Sequence, residues 1–441
     1  MQSTLSRTFD DIAVGDHAEL ARTLRPADLA LFERLAGDAR SFWTTSLVAS
    51  AAGELVPSLR VLEQSLQFRA AIGVGDRLTA RILVLASDTS NRILTLRCTC
   101  TNQVGGIVAE GELRVAAPAH AAHAENTATA AVETHEAGLR YRQLIQAASA
   151  FTPITTAVVH PCDELSLTGA LEAARERLIR PILVGPLAKI RRAAEAAGCA
   201  LDGIELVDAP HSHAAAAKAV ELARAGKVQA LMKGALHSDE LMEAVVDRAS
   251  GLRTERRMSH VFALDVPTYP KPLFITDAAI NIAPTLTDKR DIVQNAIDLA
   301  HALGIALPNV AIVSAVETVN PKIPSTIDAA ALCKMLDRGQ ITGARVDGPL
   351  AFDNAVSRLA AQSKSLTSAV AGDADILVVP DLESGNMLVK QLVYLSGALA
   401  AGIVLGARVP IMLTSRADGM PSRLASAALA QLFAHRHEAA P

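Results

Sequence analysis

The sequence predicts a chain of two parts, a short α+β segment followed by a long α/β segment built on a largely parallel, helix-covered sheet. Three observations carry this. Between residues 116 and 138 the composition shifts to Ala, Thr, His and Glu, with little apolar bulk to bury, as in a linker. Before that stretch, apolar and polar residues alternate with the period of strands. After it, short apolar runs recur with helical patterns between them. At 441 residues the chain also exceeds one ordinary core, so two or three domains are expected.

In the first segment, Leu29, Phe32 and Leu35 fall at helical spacing within residues 26–36. Residues 42–53 form a second, Ala- and Ser-rich helix. Strand alternation follows over residues 62–68, 78–85, 93–102 and 107–115, with Gly105-Gly106 as a hairpin signal. One apolar helix and an antiparallel sheet able to wrap it define an α+β domain. In the second segment the strand-like runs are 156–159, 181–184, 230–232, 273–276, 310–314, 376–379 and 411–413. Among the helices between them, residues 291–304 place Ile292, Ala296, Leu299 and Leu303 at helical steps. Thr287 is the expected N-cap and Gly304 the expected stop.

Half of the residues are apolar and only 3% aromatic, so Ala, Leu, Val and Ile must supply the helix–sheet packing. A net charge of −4, with no basic stripe, argues against a nucleic-acid partner. No apolar stretch reaches the ~20 residues of a membrane span, and no basic-then-apolar leader opens the chain. The expectation is a cytoplasmic protein with no membrane partner. Cys98 and Cys100 share one face of a strand. With no second Cys or His pair beside them, they read as small buried residues, and no metal site is expected.

The strand-like runs of the second segment end in polar clusters. Lys233 and His237 follow the 230–232 run, and Asp277 and Asn281 follow 273–276. Glu317, Asn320 and Lys322 follow 310–314, and Asp381 to Asn386 follow 376–379. The last cluster, Ser415-Arg416-Ala417-Asp418, precedes a helix-like run that opens at Pro421-Ser422-Arg423. Five clusters at carboxyl ends are expected on one rim of the sheet, where open α/β sheets bind ligands. Ser415 can donate to an oxyanion, Arg416 can grip phosphate through its planar fork, and Asp418 can accept a proton. Arg253 is the preferred second phosphate ligand, ahead of Arg256 and Arg257. Lys390 stands four residues after Asn386, on the same face of a helix. Asp381 reads equally as a base or as an N-cap. The chain has no Gly-x-Gly-x-x-Gly after its first strand, no Walker-type loop, no Gly-x-Ser-x-Gly elbow and no His-Glu-x-x-His, which argues against those chemistries.

Several stretches of the second segment occur together and in order. They are Leu231-Met232-Lys233-Gly234, Leu252-Arg253-Thr254, Ser259-His260-Val261, Thr276-Asp277-Ala278-Ala279-Ile280-Asn281-Ile282-Ala283-Pro284, Pro380-Asp381-Leu382 with Gly385-Asn386, and Leu413-Thr414-Ser415-Arg416-Ala417-Asp418. Through them, residues 138–436 resemble the phosphate acetyl/butyryltransferase family, with a flavour closer to the butyryl branch. The resemblance implies two α/β subdomains with the site in the cleft between them, and a homo-oligomer. It also implies reversible conversion of acyl-CoA plus phosphate to acyl phosphate plus CoA, with CoA as a substrate and no permanently bound cofactor. The family's Ser-Arg pair falls on Ser415 and Arg416. Lys233, Arg253, Asn281, Asn386 and Lys390 are the expected binding residues. The acid proposed as base in the acetyl branch stands seven residues after that serine, where this chain has Ser422, so Asp418 and Asp381 are the candidates. The base must act on a thiol whose unperturbed pKa is about 8.5 if it behaves like cysteine.

The first segment resembles the MaoC-like, (R)-specific enoyl-CoA hydratase type of hot-dog domain. The stretches are Phe9-Asp10-Asp11-Ile12-Ala13-Val14-Gly15-Asp16, Phe42-Trp43-Thr44-Thr45-Ser46-Leu47, and Leu62-Glu63-Gln64-Ser65-Leu66-Gln67-Phe68-Arg69 with Val74-Gly75-Asp76. Asp38 stands where that family's catalytic aspartate should be, but its histidine position holds Trp43 and the intervening loop looks deleted. A lone carboxylate cannot easily do the work an Asp/His pair divides, so the expectation is a vestigial hydratase with weak or no activity. The domains expected are 1–117 hot-dog, 118–137 linker and 138–441 transferase. The alternatives are a bifunctional hydratase and transferase, or a silent CoA-binding scaffold. A decarboxylating hydroxyacid dehydrogenase would need a metal-binding aspartate set, and Asp277, Asp353 and Asp381 are not closely spaced.

Overall fold

The computed structural model describes residues 9–35, 37–56, 59–117, 139–414 and 418–438. The chain divides into two compact units, Met1–Thr134 and His135–Pro441.

The first unit runs β1 (His17–Thr23), α1 (Pro26–Leu35), α2 (Ala39–Leu55), β2 (Arg60–Phe68), β3 (Arg77–Asp88), β4 (Ile93–Thr101) and β5 (Ile107–Ala116). The strands form one antiparallel sheet in the order β1-β3-β4-β5-β2. Every second residue is buried over residues 78–84 of β3 and along β4: Leu78, Ala80, Ile82 and Val84 on one, Leu94, Leu96, Cys98 and Cys100 on the other. That face packs on α2 through Trp43, Leu47, Val48, Ala51, Ala52 and Leu55. The helix-in-a-sheet arrangement is the hot-dog fold expected. Burial pushes the Cys98 thiol up to about 12 and that of Cys100 up to about 11, so both are inert packing groups. The expected strands are present, and β1 is an addition, an edge strand with no residue buried. The hairpin between β4 and β5 turns where expected, with Gly105 at φ 83° and Asn102 Oδ1 accepting from Gly106 N.

The second unit opens with α3 (Leu139–Ser149). It continues through β6 (Ile154–Val159), α4 (Glu164–Arg175), β7 (Ile179–Gly185), α5 (Leu187–Ala196), β8 (Glu205–Asp208), α6 (Ser212–Arg224), β9 (Ala230–Lys233), α7 (Ser238–Val246) and β10 (Ser259–Asp265). Then come β11 (Leu273–Thr276), α8 (Leu286–Ala302), β12 (Asn309–Val313), α9 (Pro324–Asp337), β13 (Arg345–Leu350), α10 (Phe352–Val356) and α11 (Arg358–Ser363). The unit ends with β14 (Ile376–Val378), α12 (Leu382–Ser396), β15 (Leu399–Leu405), β16 (Ile411–Met412) and α13 (Met420–Glu438). These strands form one eleven-stranded sheet in the order β13-β12-β14-β11-β10-β15-β16-β9-β6-β7-β8.

The sheet is mixed. β10 pairs antiparallel with both β11 and β15, and β15 pairs antiparallel with β16, while the strands outside this centre pair parallel. The carboxyl ends of β9 and β16 therefore leave one edge of the sheet, and those of β11, β12 and β14 leave the other. This corrects the expectation of a single rim: the five polar clusters split between two edges. Strand direction follows from how the centre is threaded, and no strand's own residues record it.

One face of the sheet packs on α4, α5, α8, α9 and α13 in a single core. The core of the opposite face is divided. Val159, Leu231, Val404, Ile411 and Leu413 pack with α6 and α7 on one side. Ile275, Leu377 and Val379 pack with α12 on the other. These are the two α/β subdomains the resemblance implies. The helix expected near residues 291–304 spans Leu286–Ala302. Its N-cap is Thr285 in place of Thr287, because Thr285 and Asp288 form a reciprocal capping box.

Candidate active site

The divide between the two cores is floored by β10 and β15. Val261 and Ile403 belong to the undivided core, so by strand alternation His260, Phe262 and Gly402 face the divide. The loop after β11 crosses it, with Ala278 packed in one core and Ile280 against the other. Lys233, two residues beyond buried Leu231, also faces this side and is itself 4% exposed.

The end of β16 delivers the chain toward Ser415 and Arg416, which lie outside the described residues together with Ala417. Both flanks of that tripeptide are held. Lys233 Nζ donates to the Thr414 carbonyl at 3.4 Å. Arg423, on α13 and 7% exposed, spans the gap: its NH1 donates to Thr414 Oγ1 at 3.2 Å and its Nε to the Asp418 carbonyl at 3.3 Å. Burial works against the charge on Arg423, while Asp418 and Asp163 support it. Asp418 is half-buried beside this guanidinium.

The other edge is organised by Asp277, 3% exposed. Burial pushes its carboxyl up, while the N–H groups of Ala279, Ile280 and Asn281 and the Asn281 amide pull it down. Asn281 is 2% exposed and fully engaged. Its amide donates to Asp277 Oδ2 at 2.5 Å and to the Met258 carbonyl at 2.8 Å, and its Oδ1 accepts from Arg257 Nε at 2.6 Å. This leaves Asn281 a loop-ordering role among the described contacts. Arg256 is paired with Asp298, and Arg257 lies 3.6 Å from Asp288. Arg253 forms a bridge with Ala407 and its side chain is exposed. Of the three arginines, it alone has no ion pair among the described residues.

Asp381 sits at the N-terminus of α12 and accepts from Ser384 N at 2.9 Å and Ser384 Oγ at 2.8 Å. Of its two sequence readings, this is the geometry of the cap. Asn386 donates to the Ala278 carbonyl at 3.2 Å, tying α12 to the crossing loop. Lys390, one turn on, is exposed. Sequence reasoning missed Arg423 and gave His260 no separate role. The signal for each was weak, a basic residue in a helix's first turn and a histidine between Ser259 and Val261.

His260 is 1% exposed, and burial pushes its imidazole down to about 4. The unfolded chain would take up a proton near the ordinary 6.5, so the neutral buried ring contributes stability above that pH. The contribution is lost as pH falls from 6.5 to about 4, at up to about 1.4 kcal/mol per unit or about 3 kcal/mol in all. Denaturant titrations across this range should show a corresponding fall in stability that is smaller in His260→Gln.

In the first unit, Asp38 is the N-cap of α2 and accepts from Ser41 N at 3.2 Å. Hydrogen bonds from Ser41 hold its carboxyl below the usual carboxylate range. It borders a cavity of about 350 Å³ lined also by Arg40, Ser41, Thr44, Phe68 and Ile72. Trp43 is buried in the core, and no histidine lines the cavity among the described residues.

A doubly covered α/β sheet whose strand β16 runs on, beyond the described Thr414, toward α13 beside an inter-subdomain divide has the form of a ligand-binding α/β enzyme. Residues 211–431 match the family model described as phosphate acetyl/butaryl transferase. The phosphate acetyltransferase of Rhizobium meliloti is 63% identical over 301 residues, 68% of this chain and 95% of that protein. The phosphate butyryltransferase of Clostridium acetobutylicum is 44% identical over 272 residues, 62% of this chain and 90% of that one. A branched-chain phosphotransacylase structure from Enterococcus faecalis V583 superposes with a TM-score of 0.57 at 31% identity, covering 64% of this chain and 99% of that one. The chain belongs to the phosphate acetyl/butyryl transferase family, and its second unit is an acyltransferase.

Proposed function

We propose that the protein interconverts short-chain acyl-CoA plus inorganic phosphate with acyl phosphate plus CoA. The observation that supports this reading is the clasp on the end of β16. Lys233 and Arg423 hold Thr414 and Asp418, the residues on either side of the Ser415-Arg416 pair that would meet a developing oxyanion and a departing phosphate. In the direction that consumes acyl phosphate, Asp418 takes the proton of the CoA thiol. The thiolate sulfur forms a bond to the acyl carbonyl carbon, and the carbonyl oxygen becomes an oxyanion stabilised by Ser415. The oxyanion collapses, the carbon–oxygen bond to phosphate breaks, and inorganic phosphate leaves with its charge met by Arg416. Arg253 and Lys390, both exposed cations, hold the anionic groups of CoA and phosphate. Lys233, Asn281, Asn386 and Asp381 shape the walls and loops that present them.

The domain assignment that goes with this function is a hot-dog domain over residues 1–117, a linker over 118–137 and the transferase over 138–441. The assembly is a homo-oligomer acting in the cytoplasm. Among the described residues, no helix is long and apolar enough to cross a membrane. The test is phosphate-dependent release of CoA from acetyl-, propionyl- and butyryl-CoA. Turnover ranks the chain lengths, and a folded protein that binds CoA but turns over none of them would replace this function with that of a CoA-binding scaffold.

The hot-dog domain is assigned no hydratase activity. Asp38 is committed to capping α2, and a carboxyl held below its usual range is a weak base. The expected result with crotonyl-CoA is no hydration above background. Hydration that disappears in Asp38→Asn would establish a bifunctional enzyme instead.

A further inference from the structure

Strand β6 is the second neighbour of β16, with β9 between them and all three parallel, so its carboxyl end leaves the same edge of the sheet. Met412, Met232 and Val158 are level across the three strands. Thr414, Gly234 and His160 therefore stand in line at the rim, two residues further on. His160 lies two strand spacings, about 10 Å, from the end of β16, with only a glycine between.

The end of β6 is built around this residue. His160 N donates to the Val184 carbonyl at 2.7 Å, and Ala235 N donates to the His160 carbonyl at 2.8 Å. In return the His160 ring meets the Ala235 carbonyl, Nδ1 to oxygen, at 3.0 Å. That bond draws the ring over the chain leaving β9, on the side of β16. A glycine at the end of each flanking strand lets the backbones close in. A Cβ on Gly234 would lie 2.8 Å from the His160 oxygen, and one on Gly185 would lie 3.3 Å from its Cα. His160 itself is at φ 56°, in the left-handed region that glycine enters freely and most side chains avoid. The fold thus keeps a side chain where glycine would be at ease. A carbonyl only accepts, so Nδ1 carries the proton of the neutral ring and Nε2 keeps a lone pair. Nε2 has no hydrogen-bond partner among the described residues, and the residue is half-buried.

We propose that His160 is a binding residue for inorganic phosphate: its Nε2 accepts a hydrogen bond from the P–OH group of hydrogen phosphate seated at the rim between β6 and β16. This rests on the acyltransferase reading above and deepens it. Cations meet the bare oxygens of an oxyanion, but they cannot bond its hydroxyl hydrogen. A lone pair on a fixed ring can. Hydrogen phosphate carries both kinds of group, and the carboxyl edge of the sheet offers both kinds of partner.

The experiment compares the full-length wild type with His160→Asn and His160→Gly, measuring kcat and KM in both directions alongside thermal unfolding. The asparagine amide reaches the place of Nδ1, so it keeps the bond to Ala235, and asparagine suits the left-handed backbone. Glycine suits the backbone and keeps neither nitrogen. Neither variant has an acceptor in the place of Nε2. In both, KM for phosphate should rise about 10-fold or more, as loss of a hydrogen bond to a charged ligand does, with KM for acetyl-CoA changed less than about 3-fold. Acetyl phosphate has no P–OH at neutral pH, so its KM should also change less than about 3-fold, while the reverse kcat falls in proportion, as a fixed equilibrium constant requires. Three results would overturn the proposal. One is an unchanged KM for phosphate in both variants. Another is a loss in His160→Gly that His160→Asn does not share, which would make the ring only a brace for the chain at Ala235. The third is a rise in KM for acetyl-CoA alone, which would set the ring against CoA. A wild type with no turnover at all would instead remove the acyltransferase reading, so the two failures are told apart.

Discussion

Arg416→Ala should lower phosphate-dependent CoA release by about 100- to 1000-fold in kcat while the protein stays folded. The size of the effect follows from the reaction. Phosphate leaves carrying charge that a well-placed cation neutralises, and loss of one preorganised donor at such a point typically costs about 100- to 1000-fold, on the order of 3–4 kcal/mol. Lys233 and Arg423 do not substitute for it, because the first is committed to the Thr414 carbonyl and the second to Thr414 and Asp418. Arg416→Lys should recover only part of the loss, since an ammonium replaces a two-pronged fork by a point charge. Steady-state assays with acetyl-CoA and phosphate, paired with circular dichroism of each variant, read the result. Full activity in Arg416→Ala would remove this residue from the mechanism.

The second large effect is on stability, and it falls in the other unit. Gly111 pairs with Leu66 on β2 and Cys98 on β4. A Cβ at this position would lie 1.9 Å from the Ser65 carbonyl oxygen and 2.9 Å from its carbon, both backbone atoms that cannot rotate aside. Gly111→Ala must therefore push β2 off the edge of the sheet, at a cost of about 3 kcal/mol or more. That is a large share of the 5–15 kcal/mol that stabilises an ordinary domain. Thermal unfolding should show the hot-dog transition lost or strongly lowered. Phosphate-dependent CoA release should persist, because the transferase unit carries its own cores. Loss of both together would show that the two units do not fold independently.

These predictions draw unequally on the sequence. The strands of the hot-dog domain were legible because β4 and residues 77–84 of β3 alternate between buried and open positions. The runs that became β6, β7, β9, β11, β12, β14 and β16 were legible as short apolar stretches. Two central strands were not. β15 reads Leu-Ala-Ala-Gly-Ile-Val-Leu, and its small residues resemble a helix or a turn. β10 carries Ser259 and His260 where an apolar run would be expected. Both lie at the floor of the divide, where the face away from the undivided core is shared between two smaller cores, Val404 facing one and Leu264 the other. Missing them hid the reversal of direction at the centre of the sheet, and with it the split of the polar clusters between two edges. The Ser415-Arg416 pair, by contrast, stands out in the sequence as a candidate because its residues are adjacent. The clasp on its flanks could not, because Lys233 and Arg423 come from two distant parts of the chain and meet only in the fold.

The unbroken pairing from β11 through β10 and β15 to β16 also has a mechanical consequence. Two lobes joined by a flexible strap can swing, but two lobes sharing one hydrogen-bonded ladder behave as halves of a single stiff plate. To gape, such a plate must twist along its length, and every strand shares the load. The floor of the seam is therefore shared by both walls, and less of the free energy of binding is spent on bringing them together than in two lobes on a strap.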